Sequence, residues 1–328
     1  MRFTAGAGLE KTNASLESEN TMNVVVTGVS GFVGSHLAQA LIGAGHQVRG
    51  LSRNAPTGAR RKTGVEYVDG VDVATSTTLT AKMFENTDVV VHLVGIIQEA
   101  TGGQTFQRIH VHGTGNVIDA AQSAGFEGRI VYMSALGAAP DAPSEYSRTK
   151  YDAEQLVQKA GRPYTIFRPS LIIGKDGEFV AQMADLVQYG GMPVHLPFPV
   201  IPVPGDGLNK FQPIWIDDLC GCVTKALAKP VTDYQTYEVG GATQLTFNDL
   251  LGGFAQSLHV NKPLVHAPVP MLNVVATVME SLMPKPPVTR DQLLNLGRDN
   301  ITDSRAIEQV FGIRPLSFDQ MLAKIYGA

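Results

Sequence analysis

A chain of 328 residues with 44% hydrophobic and 17% charged side chains can bury a large core and is too apolar for general disorder. Twenty-six Lys and Arg against 30 Asp and Glu leave a formal charge of -4, without the basic excess that phosphate-backbone binding requires, so nucleic acid is not an expected partner. No run approaches the ~20 consecutive apolar residues of a membrane span, and residues 1–21 lack the apolar centre of a secretory signal, so the expectation is a cytoplasmic protein with no transmembrane segment.

Residues 1–21 are polar, lack apolar periodicity and read as a flexible extension. From Met22 onward, β-branched runs alternate with helix-like segments. Asn23–Gly28, His46–Ser52, Val65–Gly70, Asp88–Gly95, Gly128–Ser134 and Tyr164–Ser170 read as strands with helices between them, such as Ser35–Gly45 and Gly113–Gly125. This predicts an α/β fold, a doubly wound parallel sheet of Rossmann type over residues 22–170. The proline-rich stretch Pro193–Pro213 cannot be a central strand and suits loops lining a cleft. Pro213–Leu219 and Tyr237–Leu251 read as strand-to-helix units, with segments around 211–240 returning to the first domain. Further helices are expected near 269–283, 289–297 and 317–326, so residues 171–328 should form a smaller, mostly helical C-terminal lobe for substrate or partner.

The first strand runs into Gly28, Gly31 and Gly34, a Gly-x-x-Gly-x-x-Gly spacing that opens a helix, with Ser30, Phe32 and Val33 in the intervals. Gly28 permits a tight turn, Gly31 lets the backbone approach a pyrophosphate, and Gly34 allows the helix to pack on the sheet. Free amides at the helix start then hold the phosphates. About 20 residues on, an acidic side chain would select a free ribose 2'-hydroxyl. Ser52 and Arg53 stand there instead, with Arg60, Arg61 and Lys62 adding charge, so NADP(H) is favoured over NAD(H). Asp72 and Val73 are placed where an adenine could be contacted, with helix capping the alternative for Asp72. Val94 and Gly95 follow the fourth strand, where the backbone passes close to a nucleotide.

Tyr146 and Lys150 stand four apart at the opening of a helix and share a face. A phenol, with an ordinary pKa of about 10, needs a nearby ammonium to act as acid or base at neutral pH. Ser134, at the end of the fifth strand, completes a proton-transfer set that could hold a substrate oxygen. Cys220 and Cys222 diverge on a helix and read as core thiols, and no metal site is expected. His110 reads as a hydrogen-bonded core histidine before a proton relay, and Asp217 and Asp218 read as helix-start charges. Pro268–Pro284 reads as a core helix of the second lobe before an amphipathic surface.

With these motifs placed, the chain resembles the short-chain dehydrogenase/reductase superfamily, in particular its extended and atypical epimerase/dehydratase-like members. The segments YMSALGA (132–138), SEYSRTKYDAE (144–154), FRPSLIIG (167–174), QPIWIDDL (212–219) and PPVTRDQLLNLGRDN (286–300) are most similar to relatives of the dehydrogenase-like accessory subunit of respiratory complex I. The resemblance implies that Gly28, Gly31 and Gly34 hold the pyrophosphate, that Tyr146 and Lys150 flank the nicotinamide ribose, and that Arg168, Pro169 and Ser170 lie near the carboxamide. It departs from the sugar-modifying members at His110, where they carry Asn, and at Ser52 and Arg53, where they carry an acid. The expected function is an NADP(H)-dependent oxidoreductase acting on a small-molecule carbonyl or alcohol, with a quinone or lipid-like ligand and a protein partner also weighed. A non-catalytic nucleotide holder is the alternative, and a nucleotide-sugar epimerase or dehydratase comes third.

Overall fold

Residues 21–100, 102–191, 198–283, 286 and 289–327 are described by the computed structural model; the expected extension up to residue 20 and positions 192–197 of the proline-rich stretch lie outside them. The six expected strands all form: β1 (Asn23–Thr27), β2 (Gln47–Leu51), β3 (Val65–Val68), β4 (Val89–His92), β5 (Arg129–Met133) and β6 (Tyr164–Pro169). A seventh, β7 (Gln235–Val239), returns from the second half of the chain to pair with β6. All neighbours are parallel, in the order β7-β6-β5-β4-β1-β2-β3. The valine runs of β1 and β4 carry no polar alternation because both faces of the central strands are covered.

The helices are α1 (Phe32–Gly43), α2 (Gly113–Ser123), α3 (Glu145–Lys159), α4 (Glu178–Tyr189), α5 (Ile216–Leu227), α6 (Phe247–Ser257), α7 (Val269–Leu282), α8 (Arg290–Leu296), α9 (Arg305–Phe311) and α10 (Phe318–Tyr326). Leu37 and Leu41 of α1 and Leu219 and Val223 of α5 pack on Val24, Val26, Val89 and Val91. Val117 and Ile118 of α2 and Ala153 and Val157 of α3 cover the opposite face, on Val25, Val90 and Ile130. Strand side chains alternate between the two layers, as the period of two requires.

Four expectations need correction. No α-helix separates β2 from β3 or β3 from β4, where the structure has only the 3-10 turns Gly58–Arg60, Ser76–Thr78 and Ala81–Phe84. Gly58 and Gly64 break the first connection with φ values of +57° and +88°. Ile214–Trp215 does not return to the large sheet but pairs with Ile172–Ile173, leaving Gln235–Val239 as the returning strand. α9 forms where no helix was expected, stopped by Gly312 in the left-handed region. α7 is not a core helix: Ala276 is its one buried residue, while Val274 and Leu282 are 65% and 76% exposed. In the proline-rich stretch, Ile201–Pro204 pairs only with Leu264–Ala267, away from the central sheet.

The strand order reverses direction at β1 and β4. In open parallel sheets, ligands bind beyond the carboxyl ends of the strands at this switch point. Gly28 and the segment Leu93–Ile96 stand there.

Candidate active site

Beyond β1 the chain turns through Gly28 at φ +76°, and the Gly31 amide donates to the Gly28 carbonyl at 3.0 Å. A β-carbon at position 34 would lie 2.2 Å from that carbonyl oxygen and 2.7 Å from Val29 Cα. The turn therefore packs directly on the first coil of α1, and only glycine fits there. Gly31 caps α1 without a side-chain hydrogen bond, and the first turn holds no acidic residue. The amides of Phe32, Val33 and Gly34 and the positive helix end thus face the switch point uncountered, which suits a diphosphate. Ser30 lies in the same turn, half-buried.

Past β2, Ser52 is buried and donates to the Asn54 carbonyl at 2.9 Å. Arg53 beside it is exposed and makes no side-chain hydrogen bond or ion pair among the described residues. The other expected cations are engaged: Arg60 with Asp176, Arg61 over the Tyr67 ring at 4.8 Å, and Lys62 with the Ala59 carbonyl. Asp72 accepts from the Ala74 amide and the Thr75 hydroxyl, so its carboxylate builds the turn after β3. Val73 is buried against Gly113, and its carbonyl accepts from Asn116. Val94 packs on the Gly28 turn, where a β-carbon would meet its side chain at 3.2 Å.

Gly95 joins the two halves of the site. A β-carbon there would lie 2.9 Å from Lys150 Nζ, so the missing side chain makes room for the ammonium at the end of β4. Lys150 donates to the Met133 carbonyl at 2.9 Å, at the end of β5, and burial holds its pKa down to about 8 against the pull of Glu154. Tyr146, one turn earlier, stacks edge-on against His110 and Phe106, with ring centroids 5.5 and 5.8 Å away. Its phenol is pushed up to about 12 by burial and by the Asp291 carboxylate.

His110 is wholly buried, with Nδ1 2.9 Å from Thr149 Oγ1 and Nε2 receiving the Ile96 amide at 3.1 Å. Desolvation and the charge on Lys150 lower it to about 2, so it is neutral and serves to orient the loop after β4. The Ser134 hydroxyl donates to the buried Glu154 carboxylate, which also receives Arg168. Pro169 is buried and accepts the Leu136 amide, while Ser170 Oγ lies 2.5 Å from Asn300 Oδ1. Asp217 and Asp218 stand in the first turn of α5, where Asp217 receives the Trp215 indole and Asp218 the Leu316 amide. Cys220 and Cys222 are free and buried in the core.

A cleft of about 890 Å³ opens beside Glu145 and Arg148 at the start of α3, between Phe106, α7 and α8. Phe106, Val274, Met283 and Leu294 supply apolar lining. Its two arginines are engaged: Arg148 donates to the Ala142 and Pro143 carbonyls, and Arg290 to Glu280. Asp291 of α8 reaches across to accept the Glu145 amide at 2.7 Å, so the second lobe caps the helix that carries Tyr146.

Glu154 and Asp291 were not anticipated. The signal for Glu154 was present in the four-residue step from Tyr146 through Lys150, a carboxylate on the inward stripe of α3. Asp291 carried none, because its partner lies 146 residues away in sequence.

A profile of the NAD dependent epimerase/dehydratase family matches residues 24–240. The chain belongs to that family. Among its relatives, a protein named NADH dehydrogenase [ubiquinone] 1 alpha subcomplex subunit 9, mitochondrial, from Arabidopsis thaliana is 27% identical over 308 residues, covering 90% of this chain and 74% of the relative. A ceramide reductase from Caulobacter vibrioides is 26% identical, covering 79% of this chain and 77% of the relative. The UDP-glucose 4-epimerase of Thermus thermophilus, solved in complex with NAD, shares the fold with a TM-score of 0.65 at 19% identity, covering 94% of this chain and 99% of that one. Among the described residues, no helix of this family member is long and apolar enough to cross a membrane.

Proposed function

We propose that the protein is an NADP(H)-dependent oxidoreductase of the epimerase/dehydratase family, acting on an uncharged, largely apolar carbonyl or alcohol compound. The observation that carries this reading is the meeting of Gly95 with the Lys150 ammonium at the carboxyl ends of β4 and β5, with His110 joining the Ile96 amide of that loop to the Tyr146 ring. The residues fit a dinucleotide: the Gly28–Gly34 turn would cradle the diphosphate, and Arg53, exposed and without a partner among the described residues, would meet a 2'-phosphate. When bound, the nicotinamide supplies or accepts a hydride. Lys150 would hold the ribose and lower the phenol toward the working range, and Tyr146 would pass the proton to or from the substrate oxygen.

The cleft supports the substrate class. Arg148 and Arg290 are each engaged by carbonyls or a carboxylate, and Glu99, Glu145, Glu280 and Asp291 line the same cleft, an arrangement that disfavours a sugar nucleotide's diphosphate. Phe106, Val274, Met283 and Leu294 offer an apolar wall to a chain or ring beside the polar groups of the cleft, and the relative named ceramide reductase agrees with a lipid-like compound.

The test is NADPH oxidation over long-chain aldehydes, ketones and quinones, with Tyr146→Phe as the paired variant. Turnover that falls by about 10²–10⁴ in the variant supports the proton-transfer role. Retention of NADPH without turnover of any compound, and no difference in the variant, supports the second reading, a nucleotide holder docked on a protein partner. That reading is favoured by the raised Tyr146 phenol, by the engagement of Ser134 with Glu154, and by the subunit name of the Arabidopsis relative.

A further inference from the structure

Glu154 is fully buried, four residues beyond Lys150 on α3. Arg168 grips both of its oxygens, Nε to Oε1 at 2.8 Å and Nη2 to Oε2 at 2.6 Å, and Ser134 donates to Oε1 as well. Burying a carboxylate costs several kcal/mol of hydration, so the anion persists only because these donors replace the water. The fork of Arg168 fixes the charge in orientation as well as in position. Residues four apart share a helix face, which places this fixed anion on the line of Tyr146 and Lys150, one turn beyond the ammonium.

The other groups around Lys150 offer no counter-charge. His92 of β4 and His110 in the π-helical turn Gln107–His112 before α2 are neutral, held down to about 3 and about 2 by burial and by Lys150 itself. Tyr132 of β5, whose ring centre lies 5.3 Å from Nζ, and Tyr146 of α3 are both raised by burial and stay protonated. Arg168 of β6 is a second cation, and its partner beyond is Glu238 at 3.7 Å. The Met133 carbonyl is a dipole only.

We propose that Glu154, clamped by Arg168 and Ser134, is a positioning residue that keeps Lys150 charged and aimed at the nucleotide edge of the sheet. The inference rests on the nucleotide-binding reading above. It also accounts for Ser134 and Arg168, which hold the anion one helical turn beyond the lysine.

The test is NADPH affinity of the full chain as a function of pH, followed by nicotinamide fluorescence. The wild type should lose affinity as pH rises through about 8, where Lys150 gives up its proton. In Glu154→Gln, which keeps the size and an acceptor oxygen, the loss should begin roughly one pH unit lower. Glu154→Asp, which keeps the charge, should recover most of the wild-type midpoint. The double variant Glu154→Leu with Arg168→Leu strands neither charge, and its midpoint should move in the same direction as that of Glu154→Gln. A packing role alone would lower affinity equally at every pH. Unmoved midpoints in both charge-removing variants overturn the inference and leave the nucleotide reading standing. A wild type that binds no NADPH at any pH overturns that reading, and this inference with it.

Discussion

Replacing Gly34 by Ala tests the cradle where the structure is least tolerant. Inside a helix this exchange ordinarily gains about 1 kcal/mol, because alanine has the higher helix propensity. Here the new β-carbon would sit 2.2 Å from Gly28 O and 2.9 Å from Gly28 C, both backbone atoms that no rotamer change can move. Relief requires α1 to lift from the turn by about 1 Å, a cost at or above the top of the ~1–3 kcal/mol range for overpacking. The net loss is then about 2 kcal/mol. Trp215, the single tryptophan, is buried at the start of α5 against the α1 layer and reports unfolding in urea. At a slope of about 3 kcal/mol/M the midpoint should fall by about 0.7 M. NADPH affinity should fall further, since the lifted amides no longer converge on a diphosphate. Gly43→Ala is the control in the same helix: its β-carbon meets nothing within 4 Å, so it should be neutral or gain up to about 1 kcal/mol. A Gly34→Ala protein as stable as the wild type, with unchanged nucleotide affinity, would refute the close-packing argument.

Arg53→Ala should weaken NADPH by about tenfold or more while leaving NADH nearly unchanged, since a charge-assisted hydrogen bond contributes about 1.5–3 kcal/mol; calorimetry showing equal losses for both would remove the 2'-phosphate assignment. Lys150 is held down from 10.5 to about 8 in the folded chain. Between those values Lys150 binds more protons in the unfolded chain, so its own contribution to apo stability rises with pH, against the fall imposed by Tyr132, Tyr146, Cys220 and Cys222, whose buried pKa values are raised; Lys150→Met should therefore make urea midpoints fall more steeply with pH than in the wild type. Asp291→Ala should destabilise by about 1 kcal/mol through loss of the α3 helix-start contact. It should also bring the Tyr146 ionisation down from about 12, read by phenolate absorbance; an unchanged phenolate titration would show that Asp291 does not act on Tyr146.

The local patterns of the sequence carried the sheet and the cradle, because both depend on short-range chemistry. Valine runs buried on two faces, glycines at intervals of three, and Tyr146 four residues before Lys150 each declare a strand, a turn or a shared helix face without knowledge of the rest. What they left open depends on partners distant along the chain. Ser134 was expected to face a substrate, yet whether its hydroxyl meets a ligand or a carboxylate depends on where α3 sets Glu154 down on β5 and β6. Asp291 reaches α3 from the far lobe, and α7, which packs on α8, turns Val274, Val278 and Leu282 outward. The sequence by itself determined a glycine turn between strand and helix, followed by a phenol and an amine. Tertiary packing alone decided which neighbours set their charges, because burial and long-range electrostatics are properties of the assembled chain.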